Sequence, residues 1–83
     1  MAIKGGITVK EQILKIVRDI KLDKTINEDA HLVFESVLNS LEILQLISAM
    51  EGEFGVKIPV EEVLPENFDT VESLAKLIEK LKG

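Results

Sequence analysis

Apolar residues return at helical spacing three times along this chain, and no stretch between them alternates as a strand does. Val9, Ile13, Ile16, Val17 and Ile20 fall on one face of a helix over residues 9–20. Ile43, Leu46, Ile47, Met50 and Phe54 do so in a second helix, and Val71, Leu74, Ala75, Ile78 and Leu81 in a third. Each has start signals: Thr8 with Glu11 and Asn39 with Glu42 form capping boxes, and Asp69 or Thr70 precedes the last helix. Gly55 is a stop for the second helix, and Lys80 and Lys82 suit the negative end of the third. Residues 60–64 can form one short turn before Pro65. The expected fold is all-α: a small four-helix bundle of three main helices and one short one. At 83 residues it is one domain over 1–83, with 1–7 as a flexible N-terminal segment.

A domain of this size has no room for a large catalytic cleft. The chain has no Cys, which excludes disulfides and thiolate metal sites. Its only aromatic residues are Phe34, Phe54 and Phe68, too few for a platform that stacks single-stranded nucleic acid. Fifteen acids against ten bases give a net charge of −5, the wrong sign for nucleic acid or an anionic membrane. No apolar run reaches membrane-spanning length, and the first ten residues lack the apolar core of a signal peptide, so a cytoplasmic protein without membrane insertion is expected. No glycine-rich phosphate loop or metal-ligand spacing occurs. His31 is alone, which fits a structural histidine better than a catalytic one, and Glu61 and Glu62 adjoin on a turn without converging on a site. An enzyme is not expected.

The charges are unevenly placed. Between Thr25 and Val56 lie Glu28, Asp29, Glu35, Glu42, Glu51 and Glu53, with no Lys or Arg. Such a window is a solvated acidic face or a docking face for a basic partner. The segment from Lys21 to Leu38 has no period and is long for so small a domain, with Leu32, Val33 and Phe34 as its expected anchors. It leads to Ser40, where a polar loop becomes the second helix. By position alone a serine there is a helix cap. Leu41, Leu44 and Ser48 fall off the core stripe, on the face beside Ser40.

The run "FESVLNSLEILQLISAMEGEFGVKIP" resembles acyl carrier proteins and their aminoacyl and peptidyl carrier relatives. The resemblance is carried by Asn39-Ser40-Leu41 opening a helix, by Glu51 and Glu53-Phe54 at its end, and by Ile58-Pro59; the closing segment "LPENFDTVESLAKLIEKL" is also similar. It implies that Ser40 receives a covalent 4′-phosphopantetheine arm from coenzyme A through a separate phosphopantetheinyl transferase. The arm's thiol would then carry acyl or aminoacyl groups as thioesters. The implied partners are that transferase, a loading ligase and acyl-transferring enzymes with basic docking surfaces, in fatty-acid, polyketide or related biosynthesis, served by a monomeric carrier. Asn39 would help present Ser40, and Leu41, Glu42, Leu44, Ser48, Glu51 and Glu53 would meet partners. The sequence departs from the family pattern at Asn39, where an aspartate is usual, at Val37, where glycine is common, and at Gln45 and Gly52, where acids are common. "VFESVLNS" is nearer to stand-alone aminoacyl carriers, including D-alanyl carriers. The alternative expectation is an unmodified helical interaction module that kept the fold and lost the arm.

Overall fold

The computed structural model describes residues 8–83, so the flexible segment expected at 1–7 lies outside the described residues. α1 (Val9–Lys21) starts with the expected box: Thr8 Oγ1 accepts from the Glu11 N–H at 3.1 Å, and Glu11 accepts from the Thr8 N–H at 2.9 Å. It runs one residue past its expected end and closes at Leu22, a left-handed residue with φ 55°. α2 (Ser40–Phe54) ends at Gly55, whose φ of 65° is unstrained without a Cβ. α4 (Val71–Lys82) is capped by Thr70, whose side chain accepts from the Ser73 N–H at 3.0 Å. All regular structure among the described residues is helical.

The segment before α4 is more structured than its sequence predicts. A 3-10 turn occupies Val60–Glu62, and a separate short helix α3 follows at Pro65–Phe68. Pro65 sits in the first turn, where its missing N–H has no partner to lose. Phe68 closes α3. It is fully buried.

The core forms where α1 packs on α2 and α4, and α3 on α4. Ile13 and Val17 of α1 meet Leu46 and Met50 of α2 and Val71, Leu74, Ala75, Leu77 and Ile78 of α4. Ile43, Ile47 and Phe54 are half-buried against this cluster. Burying a Leu or Ile side chain contributes about 1.5–3 kcal/mol relative to leaving it exposed, so these contacts, more than helix propensity, hold the helices in place.

The loop between α1 and α2 is anchored differently from expectation. Leu32 is buried and Val33 half-buried, but Phe34 is 66% exposed. Consecutive side chains cannot all face one core, and Ile26 and Leu38 fill the space instead. Polar turns shape the rest: Asp23 accepts from the Thr25 N–H at 2.9 Å, and Asn27 from the Asp29 N–H at 2.8 Å. Arg18 of α1 reaches over to donate to the Ile26 carbonyl at 2.9 Å.

Candidate functional site

Ser40 is the first residue of α2, and it is exposed. It does not cap the helix. Asn39 does: its Oδ1 accepts from the Glu42 N–H at 2.8 Å, while Glu42 Oε1 accepts from the Asn39 N–H at 2.9 Å. The first turn is thereby closed without the serine. Among the described residues, the Ser40 hydroxyl and the N–H groups of Ser40 and Leu41 have no protein partner. These groups lie at the positive end of the helix dipole. An anionic group on Ser40 Oγ meets backbone donors there, so the residues present fit a phosphodiester-linked arm.

Glu42 is held within the chain. Lys21, at the end of α1, donates to both of its carboxylate oxygens at 3.0 Å. The Asn39 N–H, and then Lys21, keep its carboxyl below the usual range. Lys21 also offsets the repulsion that a bare carboxylate would exert on an anion two residues away. Glu51 is likewise engaged: its carboxylate accepts from the Ile58 N–H at 2.8 Å and fixes the turn into Pro59 against α2. Glu53 is exposed and, among the described residues, accepts only from the Gln12 amide at 3.2 Å. Of the three acids expected to face a partner, one is presented to solvent. Leu41 and Leu44 are 65% and 62% exposed, and Ser48 is exposed too.

A small apolar groove opens beside the start of α2. It is open to solvent on one side, has a volume of about 140 Å³ and is lined by Val33, Ile43, Val63, Leu64, Pro65 and Phe68. One wall is thus the loop that leads to Ser40, and the other is the segment around α3.

That loop is fastened by Asp69, which the sequence offers only as a possible cap. Its buried carboxylate accepts from the Val33 and Phe34 N–H groups at 3.1 and 2.8 Å and pairs with His31 Nδ1, while its carbonyl accepts from the Leu32 N–H. Burial pushes the Asp69 carboxyl up, but the Phe34 N–H, His31 and the Val33 N–H outweigh it and hold it below its usual value. Asp69 in turn raises His31. Asp69, His31 and Lys21 are the site-shaping residues that periodicity missed. The one signal was an acid beside a helix start that Thr70 already caps. No group of His, Asp and Glu among the described residues could hold a metal ion, and no helix there is long and apolar enough to cross a membrane.

Comparison with known proteins shows the family. Residues 11–78 match the family described as "Phosphopantetheine attachment site". The chain is 31% identical over 76 residues to "Aminoacyl carrier protein 2" of Bradyrhizobium diazoefficiens, covering 88% of this chain and 85% of that one. It is 32% identical over 76 residues to the "D-alanyl carrier protein" of Enterococcus faecalis, covering 89% and 97%. To the "Acyl carrier protein" of Solidesulfovibrio magneticus it is 36% identical over 78 residues, covering 92% and 97%. The match takes in the loop, α2 and most of α4, and the group this family carries covalently is 4′-phosphopantetheine: the chain belongs to the phosphopantetheine-binding carrier protein family.

Proposed function

We propose that Ser40 is the attachment residue, and that the protein is a monomeric cytoplasmic carrier of aminoacyl or short acyl thioesters. The observation that carries the reading is an exposed serine hydroxyl, without a bond to any of the described residues, at the start of a helix whose cap is supplied by Asn39. In the modification, Ser40 Oγ forms a bond to the pantetheine-bearing phosphorus of coenzyme A. The pyrophosphate bond breaks, adenosine 3′,5′-bisphosphate leaves, and the serine proton passes to a base on the transferase. The arm's thiol then supplies the thioester chemistry. What the chain contributes is an accessible hydroxyl, unpaired N–H groups for the phosphate, and a rigid helix that holds both.

The size of the groove supports a small cargo. Its volume of about 140 Å³ is near that of an apolar cavity of about 150 Å³ that takes up one benzene. A short side chain or acyl group fits a groove of this size. The aminoacyl and D-alanyl carriers among its relatives point the same way. The partners are the transferase, a ligase that loads the thiol and an enzyme that accepts the group.

The test is intact mass after incubation with a phosphopantetheinyl transferase and coenzyme A. One arm is expected on the parent, and none on Ser40→Ala. A folded parent that stays unmodified would overturn the reading. It would favour the second one, an unmodified interaction module, for which Asn39 in place of the usual aspartate is the specific observation.

A further inference from the structure

The walls of the apolar groove are joined through one residue. The α1–α2 loop supplies Val33 and α2 supplies Ile43, while Val63, Leu64, Pro65 and Phe68 come from the segment around α3. Among the described residues, every hydrogen bond between that loop and that segment is made by Asp69, which directly follows Phe68. It binds four loop residues in succession: His31 through its ring, and Leu32, Val33 and Phe34 through their N–H groups. Val33 is therefore both a lining residue and a clasped one. Its wall cannot retreat without giving up the bond at 3.1 Å.

The groove also has a direction. Val63 and Leu64 are 37% and 41% exposed, and Phe68 is 1% exposed. The open side is thus at Val63 and Leu64, and the inner end is at Phe68, next to the clasp. The α3 side is tied from behind as well: Lys80 of α4 donates to Glu62 at 2.6 Å, and Ser73 Oγ donates to the Asn67 carbonyl at 2.9 Å. With that wall held by α4, room for a longer group has to come from the loop lifting off Asp69. All six lining side chains are apolar, so they select by size and not by hydrogen bonding.

We infer that Asp69 sets the size of the group the groove shelters: it is a positioning residue that keeps the inner end shut, so a short acyl group enters with the clasp intact and a longer one only where the clasp is broken. The inference deepens the proposed function and rests on Ser40 bearing the arm. Each further methylene buried favours the sheltered form by about fourfold. Against this stand the bonds to Asp69, whose buried carboxylate loses its donors when the loop lifts. Cargo length and clasp thus compete directly, and the balance is set by a residue outside the lining itself.

In the experiment, a phosphopantetheinyl transferase supplied with butyryl- or octanoyl-coenzyme A installs the arm already loaded, and the thermal midpoints of the two forms are compared. A sheltered chain is bound by the folded state alone and so raises the midpoint. In the parent the octanoyl form should melt within about 2 °C of the butyryl form, and in Asp69→Ala it should melt higher by about 4 °C or more. Asp69→Asn, which keeps an acceptor for the Val33 and Phe34 N–H groups, should return the pattern of the parent. Val17→Ala, in the α1 core and not in the groove lining, is the control: it should lower both midpoints and leave their difference unchanged. A second measurement needs only the parent, should Asp69→Ala not fold. Amide exchange at Val33 and Phe34 should be equally slow in the unloaded and butyryl forms. In the octanoyl form, the Ile43 and Val63 methyl resonances should either stay in place or shift together with faster exchange at those two amides. Methyl shifts with both amides still protected would overturn the inference, as would an Asp69→Ala variant whose two forms melt as in the parent. Either result leaves the arm on Ser40. A folded parent that accepts no arm from any of these donors would overturn the attachment reading, and this inference with it.

Discussion

Two polar centres in this molecule use their hydrogen-bonding capacity in opposite ways. At Asp69 it is used inside the chain: a buried carboxylate and its carbonyl meet three backbone N–H groups and a histidine from the α1–α2 loop. At Ser40 neither the hydroxyl nor the N–H is used among the described residues, although the residue lies at a helix start where backbone donors are plentiful. The difference follows from the neighbours. Asn39 and Glu42 close the first turn of α2 by themselves, leaving the serine with nothing to do for the fold, whereas the irregular loop has no ladder of its own and depends on Asp69. A polar group that the fold does not employ, on an element the fold holds rigid, is available to chemistry from outside.

The sharpest way to break the comparison is to truncate both centres to alanine. Ser40→Ala should abolish modification completely and shift stability by less than about 1 kcal/mol, since the cap is elsewhere and alanine favours a helix. Asp69→Ala should do the reverse. It should lower stability by about 1–3 kcal/mol through the backbone groups left without their acceptor, while its folded fraction is still modified at Ser40. Mass spectrometry and thermal unfolding on the two variants read both effects, and a stable, fully modified Asp69→Ala would end the contrast.

A smaller effect concerns pH. Asp69, together with Glu35 and Asp29, raises His31 above 6.5, so its contribution to stability is complete below that value and is lost as pH rises through the raised folded value. Asp69 lies below 3.8, so its contribution is present above that value and is lost as pH falls through the lowered one. The clasp is thus strongest between 3.8 and 6.5. Thermal midpoints measured against pH should show the lead of the parent over His31→Gln in that window and narrow it on the alkaline side. A constant gap would mean that His31 acts through shape alone.

The smallest effect separates cap from charge at the site. Asn39→Asp keeps the hydrogen bond to the Glu42 N–H and adds a charge at the positive helix end, which should change stability by no more than about 0.3–1 kcal/mol in the favourable direction. If the charge aids presentation of Ser40, the modification rate rises. An unchanged rate in a folded variant would assign Asn39 to capping only.

What the sequence made legible was local. The boxes at Thr8–Glu11 and Asn39–Glu42 place two helix starts because each joins residues three apart, and the stripe of Leu46 and Met50 follows from period alone. Ser40 and the outward leucines were legible for the same reason. Lys21 on Glu42 and Asp69 on His31 were not, because they join residues 21 and 38 positions apart whose meeting depends on how the helices pack. The acidic window read as a solvated face or a docking face because charge can be counted in a sequence, but the Lys21 that pairs with Glu42 and the Ile58 N–H that engages Glu51 cannot. α3 was missed because four residues are too few to show a period.

The Asp69 clasp also orders events in time. Val33 and Phe34 are held by a residue 36 and 35 positions further along the chain, a closure that costs entropy before it returns any stability. The path into Ser40 therefore gains these bonds only when the junction of α3 and α4 docks against it. After that, the approach to Ser40 and the start of α4 open and close as one cooperative unit, so a disturbance at the last helix is felt at the serine without touching it.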